Sequence, residues 1–278
     1  MSNSVSIIIP VFNRPEELER AVTSVLNQTF RDFELIIIDD ASTRSIGTVL
    51  DKFNDSRIIL TRNSKNCGVS YSRNRGIMMA RHDNIALLDS DDEWLPDKLK
   101  KQMQYFIDNP GLRVVHTEEI WIRNGVRVNQ MKKHQKSGGD IFIRSLDLCL
   151  MSPSSIMIKR SVFNDYGVFD EDLPVCEDYD LWLKISANEE VGFIKEPQIV
   201  KYGGHEDQLS HRYRAMDKFR VKSLVNIMEN IELPHAKQQA LKEVILKKSK
   251  ILINGAIKRN LKSEAAAYSR IIKKYSDL

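Results

Sequence analysis

Four short runs early in the chain are apolar at nearly every position: VSIIIPVF (5–12), FELIIID (33–39), RIILT (57–61) and NIALLD (84–89). Runs of this kind, without alternation and rich in isoleucine, valine or leucine, read as strands buried on both faces of a parallel sheet. Between them the period changes. PEELERAVTSVLNQ (15–28) opens on Pro15 and two acids and sets Leu18, Val22, Val25 and Leu26 along one side, the pattern of an amphipathic helix. SYSRNRGIMMAR (70–81) and the stretch 96–107 continue the alternation. Strand and helix in turn predict right-handed crossovers and a mostly parallel α/β sheet with helices on both faces.

Beyond residue 110 the alternation loosens into strand-like pieces, RVVHTEEIWI (113–122) and SSIMIK (154–159). The basic, glycine-containing stretch KKHQKSGGD (132–140) between them reads as a mobile loop. From about Asp217 the pattern is helical, with Pro234 dividing KFRVKSLVNIMENI from a long basic stretch ending near Tyr275. This predicts a main domain over 1–210 and a helical C-terminal appendage over 211–278. No internal repeat is visible.

With 42% hydrophobic and 29% charged residues over 278 positions, the chain is not disordered. Its net charge of +4 hides an asymmetry: residues 212–278 carry 16 Lys+Arg against 6 Asp+Glu, and the remainder 26 against 32. No apolar run approaches the ~18 to 20 residues that span a bilayer, and the first residues do not resemble a signal peptide. A soluble, cytoplasmic protein is the expectation. Cys67, Cys149 and Cys176 lack metal-type spacing and suit a reducing compartment.

Ligands of open α/β sheets bind beyond the carboxyl ends of the strands. Four such ends carry polar clusters: PVFNR (10–14), DDAS (39–42), RNSKNCG (62–68) and DSDDEW (89–94). Any one alone is an ordinary turn or cap; their coincidence on one rim marks a site. No glycine-rich dinucleotide fingerprint or phosphate loop follows any strand, and nothing in the pattern points to nucleic acid.

SIIIPVFNR, TSVLNQTFRDFELIIIDDAS, NCGVSYSRNRGI, ALLDSDDEWLPDKL and CEDYDLW, in that order, resemble the family 2 glycosyltransferases. The resemblance covers roughly residues 4–205, is dense up to Leu99 and thins beyond Asn109. It implies a glycosyltransferase-A fold, with a nucleotide-sugar-binding half at 1–109 and an acceptor-binding half at 110–210. It also implies a nucleotide-diphospho-sugar donor, foremost a UDP-sugar, and transfer to a hydroxyl with inversion, assisted by Mn²⁺ or Mg²⁺. The usual setting of such enzymes is a cell-surface polysaccharide or a glycan built on a lipid carrier.

Physical chemistry gives the same residues work to do. A diphosphate leaves with two negative charges, which a hard divalent cation bridging its oxygens neutralises. Asp89 and Asp91, two apart at a strand end, can offer oxygens to that ion, or to the ion and the donor ribose, with Ser90 between them facing the donor. A solvated acidic loop is the plain alternative. Asp92 is expected to cap the helix entered through Pro96, and Trp94 to pack against the apolar wall. Asp40 can accept the ring N–H of a uracil, and the family pattern places a base-reading acid there. Asp39 would hold the loop or contribute secondarily. The backbone at Pro10 and Val11, with Asn13, would line base and ribose, and Asn66 and Gly68 would let the backbone approach the nucleotide. Arg73, in the first turns of a helix, would reach the phosphates or pair with the acidic rim.

Attack on the anomeric carbon needs a base on the face opposite the leaving diphosphate. In VCEDYDLW (175–182) the family pattern puts it in the Glu177/Asp178 pair; Asp178 is chosen and Glu177 is the alternative, while Asp180 reads as a helix-starting acid. In YGGHEDQLSHRY (202–213), His205 follows two glycines and matches a histidine that completes the metal site in several relatives; His211 is the weaker candidate.

Two other readings stay open. A metal-dependent nucleotidyltransferase would normally show a glycine-rich basic loop near the first strand, and PVFNRPEE is neither. A non-catalytic nucleotide-sugar-binding protein would have no need of both acid pairs. In the tail, KEVILKKSKILINGAIKRNLK (242–262) mixes isoleucines and leucines with lysines. The apolar side must pack on the catalytic domain or a second subunit, leaving lysines outward, where an anionic membrane surface could attract them.

Overall fold

The computed structural model describes residues 4–204, 213 and 215–276. The isoleucine runs form β1 (Val5–Val11) and β2 (Phe33–Asp39), buried at every position and paired in parallel, with Val5 opposite Phe33 and Val11 opposite Asp39. β3 (Ile58–Arg62) lies parallel outside β2, and β4 (Asn84–Leu87) lies parallel to β1 on its other side. The crossovers carry α1 (Pro15–Leu26), α2 (Gly47–Leu50) and α3 (Val69–Met79).

Because side chains alternate along a strand, β1 feeds two cores. Ile7 and Ile9 pack with Leu18, Val22 and Val25 of α1, whereas Ile8 packs with Ile36, Ile38 and Ile77 on the α3 side. Each such fully buried side chain contributes about 1.5–3 kcal/mol. At Gly76 a Cβ would stand 2.4 Å from Ile8 Cγ2, so a glycine there lets α3 lie close on β1. β3 departs from its apolar composition: it is the sheet edge, and Leu60 is 44% exposed.

The second half adds β5 (Glu93–Trp94), α4 (Lys98–Asp108), β6 (Val114–Arg123), β7 (Val126–Val128), α5 (Phe142–Ser145), β8 (Met157–Lys159), α6 (Arg160–Tyr166), α7 (Glu177–Ser186) and β9 (Gly192–Gly203). The nine strands make one sheet, ordered β3-β2-β1-β4-β8-β6-β9-β5 with β7 on β6. β8 runs antiparallel to both β4 and β6, so the parallel half meets a mixed half at β4.

The loop expected to be mobile is tied down. His134 packs on Trp121 with ring centroids 5.4 Å apart, and Gly139 exchanges backbone hydrogen bonds with Val191. Lys136 is buried, with Nζ 2.8 Å from the Leu150 carbonyl and 3.3 Å from Glu119 Oε1. Its lysine is the anchor: a buried carboxylate on β6 needs a cation, and the loop supplies it.

The tail forms α8 (Asp217–Asn230), α9 (His235–Lys258) and α10 (Lys262–Ser276), with Pro234 capping α9. Leu224, Ile227, Leu241, Ile245 and Tyr275 share a core with Val175, Tyr179 and Leu183, the last two on α7. The other side of α7, through Leu181, Trp182 and Ile185, belongs to the core beneath α3. Among the described residues no helix is long and apolar enough to cross a membrane.

Candidate active site

A cavity of about 660 Å³ opens where β1, β2 and β4 end, with β9 and the start of α7 completing its wall. Pro10, Val11, Asp40, Asn66, Gly68 and Ser90 all line it, as their sequence positions predict. Asp40 organises one end. Its Oδ1 accepts from the Cys67 amide (2.8 Å) and Asn63 Nδ2 (2.7 Å), and its Oδ2 from the Gly68 amide (2.8 Å). Gly68 has φ +92°, a conformation open to glycine, and it leads directly into α3.

Asp39 points away from the cavity. Its Oδ1 accepts from the Ser42 amide at 2.9 Å and its Oδ2 pairs with Arg62, so it holds the loop. Asn13 is a correction to the sequence-based expectation. Its backbone is left-handed (φ +56°), and its Oδ1 accepts from the Thr43 and Arg44 amides at 2.7 and 3.2 Å. The side chain staples two loops and does not line the cavity.

Asp89 and Asp91 both face the cavity, and each meets a guanidinium. Arg73 Nη2 is 2.7 Å from Asp89 Oδ1, and Arg14 Nη1 is 2.5 Å from Asp91 Oδ2. Arg20 donates to the Asp91 carbonyl at 2.6 Å and stacks on the Tyr202 ring. Asp92 does not cap α4, whose N-cap residue is Asp97, with no side-chain cap hydrogen bond. A turn closed by the Asp92 amide on the Asp89 carbonyl rotates Asp92 inward, where its Oδ2 accepts from Ser154 Oγ at 2.6 Å. Burial pushes its carboxyl well above the ordinary range, against the pull of Lys201. Trp94 packs into the core as its size demands, with its indole N–H on the Ser154 carbonyl.

Arg73 is 4% exposed and bridges the two ends of the site, Nη1 reaching Glu177 Oε1 at 2.7 Å while Nη2 holds Asp89. Burial pushes the Glu177 carboxyl up to about 7, against Arg73 and with the help of Asp178. Cys176, in the left-handed region (φ +64°), caps α7. Asp178 lines the cavity and Glu177 does not. Asp178 Oδ1 accepts from the Tyr179 amide at 2.7 Å, and its Oδ2 from the Cys149 thiol at 3.5 Å. Asp180 is buried in an ion pair with Lys184.

Sequence reasoning passed over three residues. Arg14 sits inside a rim motif, and its charge was the available signal. Lys201 and Tyr202 reach the cavity from β9, where strand pairing brings them; no local pattern marks them. Burial disfavours the charge on Lys201, but Glu119, Asp92, Asp89 and Asp91 outweigh it and hold its pKa above the ordinary lysine value.

Asp89 and Asp91 offer hard oxygens of the kind Mg²⁺ and Mn²⁺ take, and such ions complete their shells with substrate oxygens and water. Among the described residues no group of three or more His, Cys, Asp or Glu gathers for a metal. Asp89 and Asp91 are the carboxylates that could hold such an ion. His205 and His211 lie outside the described residues.

An α/β sheet that turns from parallel to mixed, with an acidic rim over a donor-sized cavity, is the architecture of the glycosyltransferase-A fold. Residues 6–167 match the family model described as Glycosyl transferase family 2, and the chain belongs to that family. It is 30% identical over 203 residues, 71% of this chain and 70% of the relative, to the uncharacterized glycosyltransferase MJ1057 of Methanocaldococcus jannaschii. It is 31% identical over 192 residues, 68% of this chain and 72% of the relative, to the UDP-Glc:alpha-D-GlcNAc-diphosphoundecaprenol beta-1,3-glucosyltransferase WfgD of Escherichia coli. The match spans only 33% of the length of a longer relative from Rickettsia felis. S. aureus TarS 1-349 in complex with UDP-GlcNAc superposes with TM-score 0.67 at 16% identity, covering 99% of this chain and 92% of that one. The mannosyltransferase PcManGT of Pyrobaculum calidifontis, in complex with GDP-Man and Mn2+, superposes with TM-score 0.64 at 15% identity, covering 98% and 84%. These two likenesses establish the shared fold.

Proposed function

We propose that this glycosyltransferase moves a sugar from a UDP-sugar to a hydroxyl of a saccharide carried on a lipid diphosphate, with inversion, and that it uses Mn²⁺ or Mg²⁺. The observation that carries the reading is the sequence of groups around one cavity: Asp40 at one end, Asp89 and Asp91 in the wall, and Asp178 as the α7 acid that faces inward. The activity of WfgD supports the donor and acceptor classes, and the Mn2+ in PcManGT supports the metal.

Asp40 Oδ2 takes one hydrogen bond from the protein and keeps capacity for a uracil imide N–H. Asp89 and Asp91 would hold the divalent cation, which supplies charge neutralisation to the departing diphosphate. Asp178 takes the proton of the acceptor hydroxyl as its oxygen bonds to the anomeric carbon. The bond from that carbon to the diphosphate oxygen breaks, and its electron pair leaves with the phosphate. Glu177, held by Arg73, positions the start of α7.

Asp178→Asn should lower transfer by at least about 100-fold while UDP-sugar affinity stays within a few-fold, because a base acts mainly in the transition state. An active Asp178→Asn beside a dead Glu177→Gln would reverse the assignment.

A lipid-borne acceptor also suits the outer side of α9. Ile251 and Ile257 are 54% and 64% exposed there, on a surface shared with Lys250 and Lys258. The full chain should sediment with anionic vesicles at low salt, and Lys250→Glu with Lys258→Glu should abolish this. Equal sedimentation with neutral vesicles would overturn the membrane contact.

A further inference from the structure

Among the described residues three cations line the cavity, Arg14, Arg73 and Lys201, and they are not equivalent. Arg73 is spent on Glu177 and Asp89, and Arg14 reaches Asp91. Lys201 Nζ has no hydrogen-bond or ion-pair partner among the described residues, although it is half-buried and feels four carboxylates. The carboxylate that acts on it most strongly, Glu119, is already satisfied by Ser152 Oγ at 2.7 Å, the Trp121 indole at 2.8 Å and Lys136. A half-buried ammonium has three N–H groups to place, and the cavity that Lys201 lines is where they can find acceptors. The lysine lines the same cavity as Asp89 and Asp91, where the donor diphosphate is proposed to lie.

We propose that Lys201 is a diphosphate-binding residue of the donor site, donating to the phosphate oxygens on which negative charge collects as the sugar departs. The inference rests on the proposed donor class. It has a consequence that ordinary packing does not share. In the empty site Lys201 shares the field of Asp89, Asp91 and Asp92 with any incoming divalent cation, so ammonium and metal oppose one another. A diphosphate lying between them removes that opposition. Lysine and metal are antagonists without donor and partners with it, which is a coupling between two ligands of one site. This would favour arrival of metal and donor together and discourage an idle metal-loaded state.

The test is calorimetric and uses the full chain with Mn²⁺ alone, inorganic pyrophosphate plus Mn²⁺, UDP plus Mn²⁺, and uridine. Lys201→Met should bind UDP and pyrophosphate at least ten-fold more weakly, bind Mn²⁺ alone as tightly or several-fold more tightly, and leave uridine unchanged. Lys201→Arg should recover most of the UDP affinity. UDP and pyrophosphate affinities within two-fold of the parent would overturn the proposal. A parallel loss of uridine or of bare Mn²⁺ would overturn it as well, since it would mark damage to the cavity. The pyrophosphate arm separates the two ideas. A parent that binds pyrophosphate through Lys201 but ignores UDP and uridine would sink the nucleotide reading alone; one that binds none of the three phosphate or nucleoside probes would sink both.

Discussion

The two walls of the cavity are built differently. Asp40, Asp89 and Asp91 follow the ends of strands whose register is set by central, fully buried pairing, β1 with β2 and β1 with β4. Asp178 follows a left-handed residue at the start of a helix from the mixed half, where Arg73 grips Glu177 across 104 positions of sequence. The wall proposed to hold the donor is thus fixed by the pairing of central strands. The wall proposed to carry the base is tied to the donor side by a buried arginine and by the core that α7 shares with α3.

Removing that arginine is the severest way to break the pairing. Arg73→Met leaves Glu177 and Asp89 without their cation, and loss of one partner of a buried pair costs about 3–5 kcal/mol. The melting temperature should fall accordingly, and Arg73→Lys should restore only part of it because one ammonium lacks the forked reach to both acids. An unchanged melting curve would mean that the walls are held independently.

Asp91→Ala attacks the donor wall alone. Turnover should fall by about 100-fold or more, with Mn²⁺ stimulation lost and stability little altered. Full activity of the parent in excess chelator would remove the metal from the scheme.

The mildest probe lies in the mixed half. His116 on β6 is fully buried, and burial, followed by Lys136, depresses its pKa to about 3. The folded protein therefore refuses a proton that the unfolded chain accepts below about pH 6.5. This histidine thus costs nothing above neutrality, and stability is lost as pH falls from about 6.5 toward 3. At pH 5.5 the loss amounts to about 1.4 kcal/mol. In urea titrations His116→Gln should flatten the drop between pH 7.5 and 5.5 by about that amount; an equally steep drop would place the acid sensitivity elsewhere.

The contrast between the walls also explains what was legible beforehand. Isoleucine runs announce β1 and β2, and a carboxylate that follows such a run lies at a strand end, so Asp40, Asp89 and Asp91 could be placed without coordinates. β3 has the same apolar content but lies at the sheet edge, and edge position is a property of strand order. Asn13 and Asp92 have side chains suited to several tasks, and tertiary partners chose for them: the 43–44 amides for one, Ser154 for the other. Lys136 belongs to a stretch that reads as floppy until its β6 carboxylate is known, and Lys201 owes its position to pairing among β6, β9 and β5. Residues whose roles come from neighbours distant in sequence leave no local trace.

α7 is wedged between two cores. Its Leu181, Trp182 and Ile185 belong to the main domain, and its Tyr179 and Leu183 to the C-terminal helices. The tail is therefore no detachable cargo. An engineer who exchanges the last three helices for those of another relative, hoping to redirect the protein to a new surface, also changes the backing of the residue next to Asp178. Such chimeras should show altered turnover before they show altered address, and compensating substitutions at Val175, Tyr179 and Leu183 are where recovery should be sought.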